Sequence, residues 1–279
     1  MTGPPSSAPP PQALRAAVEA HLPGLGTADW EPLHGGRVNR LWRVGAVAVK
    51  LLDPDGGSPL FPNDAAAEAA ALDLLSDRGL APRLVARGRV GNRDWLATGF
   101  RAGQVWTSGA AAAAGALAAV HRAAVPGLRP APTGSTAILA QGAAIAADCR
   151  ATPPPPADPG EPPCPRPGLI HGDAVAGNLI VGPGGPGFID WACAATGDPV
   201  DDLAAFLSPA MQALYRGRPL AAEEAEAILS AYPDPATVAR YRRLAPLLHW
   251  RLAVHCLWRA DRGAQDYARA ARLALALAG

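Results

Sequence analysis

Residues 169–202 hold the side chains best placed to do chemistry. His171-Gly172-Asp173 reads as a turn behind the apolar pair Leu169-Ile170, and Asn178 follows Asp173 by five positions. Leu179 to Val181 reads as a short strand, a Gly/Pro run reverses the chain, and Phe188-Ile189 reads as a second strand with Asp190 at its end. A hairpin of this kind brings Asn178, before one strand, beside Asp190, after the other. A carboxylate and a carboxamide oxygen together suit Mg2+, a hard cation that takes oxygen ligands and keeps waters and phosphates in the rest of its shell. Asp173, on the loop before them, is then free to orient or deprotonate an attacking hydroxyl.

Composition singles out one more residue. The chain has 25 basic side chains, of which Lys50 is the only lysine. With 30 Gly and 31 Pro, this is the bias of a sequence that uses Arg wherever either cation serves. Lys50 therefore occupies a site where a compact ammonium, and not a planar guanidinium, is wanted.

The elements that must position these residues fall into two parts. Residues 1–11 read as a disordered tail, lacking the positive start and apolar stretch of a signal peptide. Gln12 to His21 is a helix, with Leu14, Val18 and Leu22 at helical spacing. Trp30–Leu33, Val38–Val44 and Ala46–Leu52 form an antiparallel meander with a Gly-Gly turn between the first two strands. A helix capped by Asn63 or Asp64 runs to about Arg78 and stops at Gly79. Strands at Arg83–Arg87 and Asp94–Thr98 complete a small sheet with one helix on it. Beyond residue 100 the pattern is mostly helical: Ser108 to Ala123, Ser135 to Cys149, and Val200 onward with breaks near Pro219, Pro233 and Pro246. Residues 151–168 are too Pro-rich for helix or central strand and read as a surface connector.

The ordered set His-x-Asp-x4-Asn, Ile189-Asp190-Trp191 and Gly197-Asp198-Pro199-Val200-Asp201-Asp202-Leu203-Ala204 resembles the aminoglycoside phosphotransferase and choline/ethanolamine kinase superfamily. That resemblance implies an α+β, two-lobed protein-kinase-like fold. A small antiparallel sheet plus helix forms the N-terminal nucleotide-binding lobe (12–99). A mostly helical C-terminal lobe (100–279) holds the catalytic and substrate residues. It implies Asp173 and His171 as catalytic residues, Asn178 and Asp190 as Mg2+ ligands, and Asp198 and Asp202 as structural support of the catalytic loop. It also implies a Gly loop over the phosphates, a Lys on the third strand and a Glu on the next helix. The matching residues are Gly35, Gly36 and Asn39, then Lys50, then Glu68, with Thr98 and Phe100 in a hinge segment facing the nucleotide base. The only lysine thus falls where the resemblance requires one. Taken singly, each residue also has a structural reading: Lys50 as an ordinary strand residue, Gly35-Gly36 as a turn, His171 as an orienting group of its loop. Ala174-Val175 departs from the family's usual residues after His-Gly-Asp.

The expected function is transfer of the γ-phosphate of Mg-ATP to the hydroxyl of a small metabolite. Trp191, and Trp250 and Trp258 on one helical face, suggest a cation cage for a choline- or ethanolamine-like amino-alcohol or thiamine. Core packing of an amphipathic helix is the other reading of the same spacing. An aminoglycoside phosphotransferase and a non-catalytic nucleotide-binding protein on the same fold are the alternatives. Residues 200–279 carry 8 Asp/Glu against 10 Arg, without the carboxylate excess an aminoglycoside site wants. The net charge of +1 excludes a polyelectrolyte partner for nucleic acid, and no apolar run approaches a membrane span. Four scattered cysteines read as reduced thiols of a cytoplasmic protein. The sequence identifies no protein partner.

Overall fold

The computed structural model describes residues 9–26, 28–34 and 36–277. Helix α1 (Gln12–His21) precedes strands β1 (Trp30–Leu33), β2 (Arg40–Val44) and β3 (Val47–Leu51); α2 (Ala65–Leu75) precedes β4 (Leu84–Val90) and β5 (Arg93–Gly99). The five strands form one antiparallel sheet in the order β1-β2-β3-β5-β4.

Strand alternation explains how this sheet serves both a core and a site. Side chains point to opposite faces at successive positions. Val47, Val49 and Leu51 of β3, Trp42 and Val44 of β2, and Trp95 of β5 share one face and pack with Leu14 and Val18 of α1. The intervening residues Leu41, Ala48, Lys50, Leu96 and Thr98 face the other way, into a cleft. The register Leu41↔Lys50↔Leu96 sets the lysine in the middle of three strands. Helix α2 begins at Asp64, whose side chain accepts from the Ala66 and Ala67 amides, and puts Glu68 in its first turn.

The chain then crosses to a second lobe. β6 (Gln104–Val105), α3 (Ala110–His121), α4 (Ser135–Ala147), β7 (Gly168–Ile170), β8 (Leu179–Gly182), β9 (Gly185–Phe188) and β10 (Ala195–Gly197) are followed by helices. These are α5 (Val200–Leu207), α6 (Pro209–Arg216), α7 (Ala222–Ala231), α8 (Pro235–Asp261) and α9 (Gln265–Leu275). The β8–β9 hairpin is the one expected around Asn178 and Asp190. β6 adds a third strand to it, and β7 pairs with β10 across the catalytic loop. Both pairings are too short to leave a periodic signal in sequence.

The expected α+β architecture is therefore present, and one boundary is corrected. Pro246 does not break the helix: α8 runs 27 residues through it. The proline removes only the amide that would bond the Arg242 carbonyl, while Leu244, Leu247 and Leu248 beside it are buried and hold the helix in place. The Pro-rich segment after α4 has no regular secondary structure through residue 164, yet it is strapped down. The Pro153 carbonyl accepts from Trp250 Nε1 at 3.2 Å, and Glu161 pairs with Arg240 at 2.9 Å and with Arg243.

Helices α4 and α8 meet closely where Gly142 faces Trp250. A Cβ at residue 142 would stand 2.1 Å from the Trp250 ring. Gly142→Ala should therefore destabilise the protein by about 1–3 kcal/mol through overpacking, against the usual gain from Ala in a helix. Urea unfolding of the two proteins measures it.

Candidate active site

Lys50 joins the two lobes. Its Nζ is 2.7 Å from Glu68 Oε2 on α2 and 2.5 Å from Asp190 Oδ1 after β9. Lys50 and Glu68 are buried, at 6% and 4% exposure, so neither charge is solvated by water and each depends on the other. Burial alone would lower the lysine's pKa, but the two carboxylates outweigh it and the ammonium is held charged. Burial would also raise Asp190; its short bond to Lys50 overcomes this and keeps its carboxyl below the ordinary range. Asp190 has φ 64, the one non-glycine residue with positive φ among those described. A side chain held in the left-handed region is strained, and such strain gathers at functional positions.

The His171-Gly172-Asp173 loop is fixed from below by Asp202 of α5. Its Oδ2 accepts from the His171 amide at 2.7 Å and its Oδ1 from the Gly172 amide at 2.9 Å. His121 Nε2 lies 3.1 Å from the same carboxylate, and Tyr232 hydroxyl 2.8 Å from His121 Nδ1. Gly172 has φ 78, and a Cβ there would stand 2.3 Å from the Cys193 carbonyl, so the loop requires glycine. His171 is fully buried between Phe188 and Trp191. Burial lowers its pKa, so the ring is neutral. Its Nδ1 accepts from the Asp173 amide at 3.3 Å, which leaves the Nε2 proton to the Ile189 carbonyl at 3.0 Å. Both nitrogens are engaged with backbone. His171 is thus placed to orient the loop, the second of the two roles open to it.

Asn178 turns its amide protons to Asp173, at 2.9 Å to the carbonyl and 3.1 Å to Oδ2. The carboxamide oxygen is the atom left for a cation, beside the Asp190 carboxylate. These two oxygen donors fit a hard divalent ion that takes its other ligands from phosphates. Among the described residues no three His, Cys, Asp or Glu side chains gather as a metal cage. Seclusion, with the nearby Asp190 charge, pushes the Asp173 carboxyl up to about 8.

A cleft of about 770 Å3 runs between the lobes, its walls including Lys50, Glu68, Asn178 and Asp190. Asp173 lies behind that wall, hydrogen-bonded to its lining residue Asn178. Gly36, Thr98 and Phe100 also line it, and the Phe100 amide donates to the Ala46 carbonyl at 2.8 Å. Gly35 lies outside the described residues.

Five expected assignments are corrected. Asn39 faces away from the cleft: its amide donates to Asn63 at 2.9 Å and its oxygen accepts from the Asp53 amide at 3.0 Å, clasping the two ends of a loop. Asp198 does not touch the catalytic loop; it binds the Val200 amide at the start of α5 and Arg240 Nε at 2.7 Å. Trp191 and Trp250 are buried core residues, at 0% and 2% exposure. Trp258 lies outside the cleft with Arg262 over its ring at 3.9 Å. The wall instead receives Arg37, Tyr215, Arg259, Asp266 and Tyr267. Apart from Arg37, which neighbours Gly36 in the loop, these residues sit on helices where no motif marks them.

The arrangement is a cleft with a fixed ammonium, two oxygen donors for a cation and a carboxylate beside them. It can neutralise and align a polyphosphate and present a hydroxyl to it. The sequence profile of the phosphotransferase enzyme family matches residues 29–247. No curated protein sequence matches the chain. Among solved structures, a choline/ethanolamine kinase family protein from Mesorhizobium loti is similar, with 19% identity and a TM-score of 0.67 over 94% of this chain and 91% of the other. Choline kinase LicA from Streptococcus pneumoniae shares 17% identity and a TM-score of 0.59 over 94% and 99%. An aminoglycoside phosphotransferase from Streptomyces rimosus, in complex with ADP and streptomycin, shares 21% identity and a TM-score of 0.51 over 84% and 98%.

Removing the ammonium leaves the buried Glu68 carboxylate without its counter-charge and near the partly exposed carboxylate of Asp190. Lys50→Met should cost about 3–5 kcal/mol of stability near neutral pH. Without Lys50, Glu68 and Asp190 take up protons more readily folded than unfolded. Their folded pKa values then lie above the unfolded ones, so the deficit shrinks as pH falls and grows as pH rises. Urea unfolding of both proteins at pH 5 and pH 8 checks the size and the sign.

Proposed function

The chain belongs to the phosphotransferase enzyme family, and from that premise we propose that it is a small-molecule kinase moving the γ-phosphate of ATP to an alcohol. The observation that carries this reading is the ion triad of Lys50, Glu68 and Asp190, with Asn178 and Asp173 hydrogen-bonded next to it. Lys50 would take the α- and β-phosphates, held in place by Glu68. Asn178 and Asp190 would hold Mg2+, which would supply charge neutralisation of the phosphates when bound. Gly36 lies over the phosphates, and Thr98 and Phe100 border the base.

Asp173 receives or orients the proton of the acceptor hydroxyl. The oxygen forms its bond to the γ-phosphorus as the bond to the bridging oxygen breaks, and that electron pair leaves on ADP. In the ligand-free protein burial raises the affinity of the Asp173 carboxylate for a proton, which strengthens it as an acceptor. His171 and Asp202 act by fixing the loop that carries Asp173. The preference for an amino-alcohol loses its support, because Trp191 and Trp250 are core residues.

Coupled ADP release, with Mg-ATP and a panel of choline, ethanolamine, thiamine, homoserine, sugars and aminoglycosides, tests the reading. Turnover is expected on one acceptor. Asp173→Asn should lower it about 100- to 10,000-fold while nucleotide affinity is kept, since the general base and not the phosphate site is removed. Chelation of Mg2+ should abolish it. A protein that binds nucleotide but transfers phosphate to none of these or related alcohols is the non-catalytic alternative.

In the ligand-free protein the same carboxyl sets a pH dependence. A folded pKa near 8 lies above the unfolded value, so Asp173 favours the folded state at low pH and penalises it as pH rises from about 4 toward 8. Asp173→Asn removes that penalty. Its melting temperature, without nucleotide or Mg2+, should exceed the wild type's at pH 8 by more than at pH 5.

A further inference from the structure

Beside the catalytic loop, the cleft wall carries a cluster that phosphate transfer itself does not use. Tyr215 lies on that loop: a Cβ at Gly177 would stand 2.8 Å from its ring. Tyr267 of α9 lies near it, and both rings line the cleft together with Asn178, whose amide donates to Asp173. An alcohol whose hydroxyl reaches Asp173 therefore extends its remainder over these two rings.

Two guanidinium groups border them. Arg37, from the glycine loop, lies over Tyr215 at 5.3 Å and Tyr267 at 5.2 Å. It also donates to Asp266 at 2.6 Å and to the Leu214 carbonyl at 3.2 Å. Arg259, from α8, lies over Tyr267 at 5.5 Å. Arg37 is neutralised by Asp266, whereas Arg259 has no carboxylate partner among the described residues and lines the cleft with its charge uncompensated. A cationic acceptor placed on these tyrosines would meet the uncompensated charge of Arg259. An anionic one would gain charge-assisted, planar hydrogen bonds from Arg259.

We propose that the acceptor is an anionic alcohol, one bearing a carboxylate or a phosphate, and that Arg259 is the residue that selects it, with Arg37 closing over it from the glycine loop. This rests on the kinase reading of the cleft and adds no chemical step to it. It places the substrate in a different charge class from choline and streptomycin, the compounds named for two of the similar structures.

The test uses three-carbon alcohols that differ in charge: glycerate (anionic), glycerol (neutral) and serinol (cationic). Each is titrated calorimetrically into the protein saturated with Mg2+ and a non-hydrolysable ATP analogue. Glycerate is expected to bind in preference to glycerol and serinol. Arg259→Gln should weaken glycerate about tenfold, as for the loss of a charged hydrogen bond. Arg259→Lys should restore part of it, and the affinity of the ATP analogue should be the same in all three proteins. Four results overturn the proposal: serinol binding as well as glycerate, no binding of either, glycerate binding undiminished in Arg259→Gln, or an equal loss of analogue affinity, which would assign Arg259 to the nucleotide. Failure of the wild type to bind the analogue at all instead removes the kinase reading, and this proposal with it.

Discussion

One ammonium between two carboxylates organises this molecule. Lys50 is fixed by the sheet, Glu68 by the helix packed on it, and Asp190 by the far lobe. Burying Lys50 and Glu68 is costly unless each charge finds its counterpart, and the partly exposed Asp190 ties the β8–β9 hairpin to the same pair, so the sheet, α2 and the hairpin are constrained to one relative placement. The strand alternation of β3 supplies the lysine to the cleft while its neighbours Val49 and Leu51 fill the core under α1. The Asp64 cap sets where α2 begins and so which of its residues faces the lysine.

A second buried carboxylate does for the loop what the triad does for the lobes. Asp202 accepts two successive backbone amides, and His121 and Tyr232 extend that chain of bonds into α3 and past α7. His171 adds a neutral ring whose two nitrogens face backbone on either side. The loop that presents Asp173 is thereby held by helices that do not line the cleft. Precise placement of a catalytic carboxylate comes from such support rather than from its own contacts.

The strands and most helices were legible in sequence because they rest on local pattern: alternation around Lys50, an Asx cap before Glu68, and a turn followed by a hairpin at residues 171–190; the Lys50–Glu68 pair was legible through the family resemblance, but the Lys50–Asp190 bond, which joins residues 140 positions apart, was not. The acceptor wall was not, because Arg37, Tyr215, Arg259 and Tyr267 come from four elements that meet only in the folded chain. The tryptophans misled for a related reason. Helical spacing of Trp250 and Trp258 shows that they share a face, but not whether that face meets substrate or another helix, and α4 with its Gly142 covers Trp250. Asn39 was misplaced because a carboxamide serves equally to bind phosphate or to clasp a loop, and its partners Asn63 and Asp53 are remote in sequence. Pro246 shows the opposite override, in which burial on both sides carries a helix through a residue that disfavours it.

The bond between Arg37 and Asp266 closes a loop of chain 229 residues long. Drawing such distant segments together costs chain entropy that nearby contacts do not, and folds rich in distant contacts assemble slowly. The sheet and α1 share one apolar core, whereas Leu72 and Leu75 of α2 and Leu96 of β5 belong to the same core as the helices around α8. The lobes are thus joined through their interior, and the Arg37–Asp266 tie at the rim, with both side chains partly exposed, is the kind of distant surface contact expected to form late and open early.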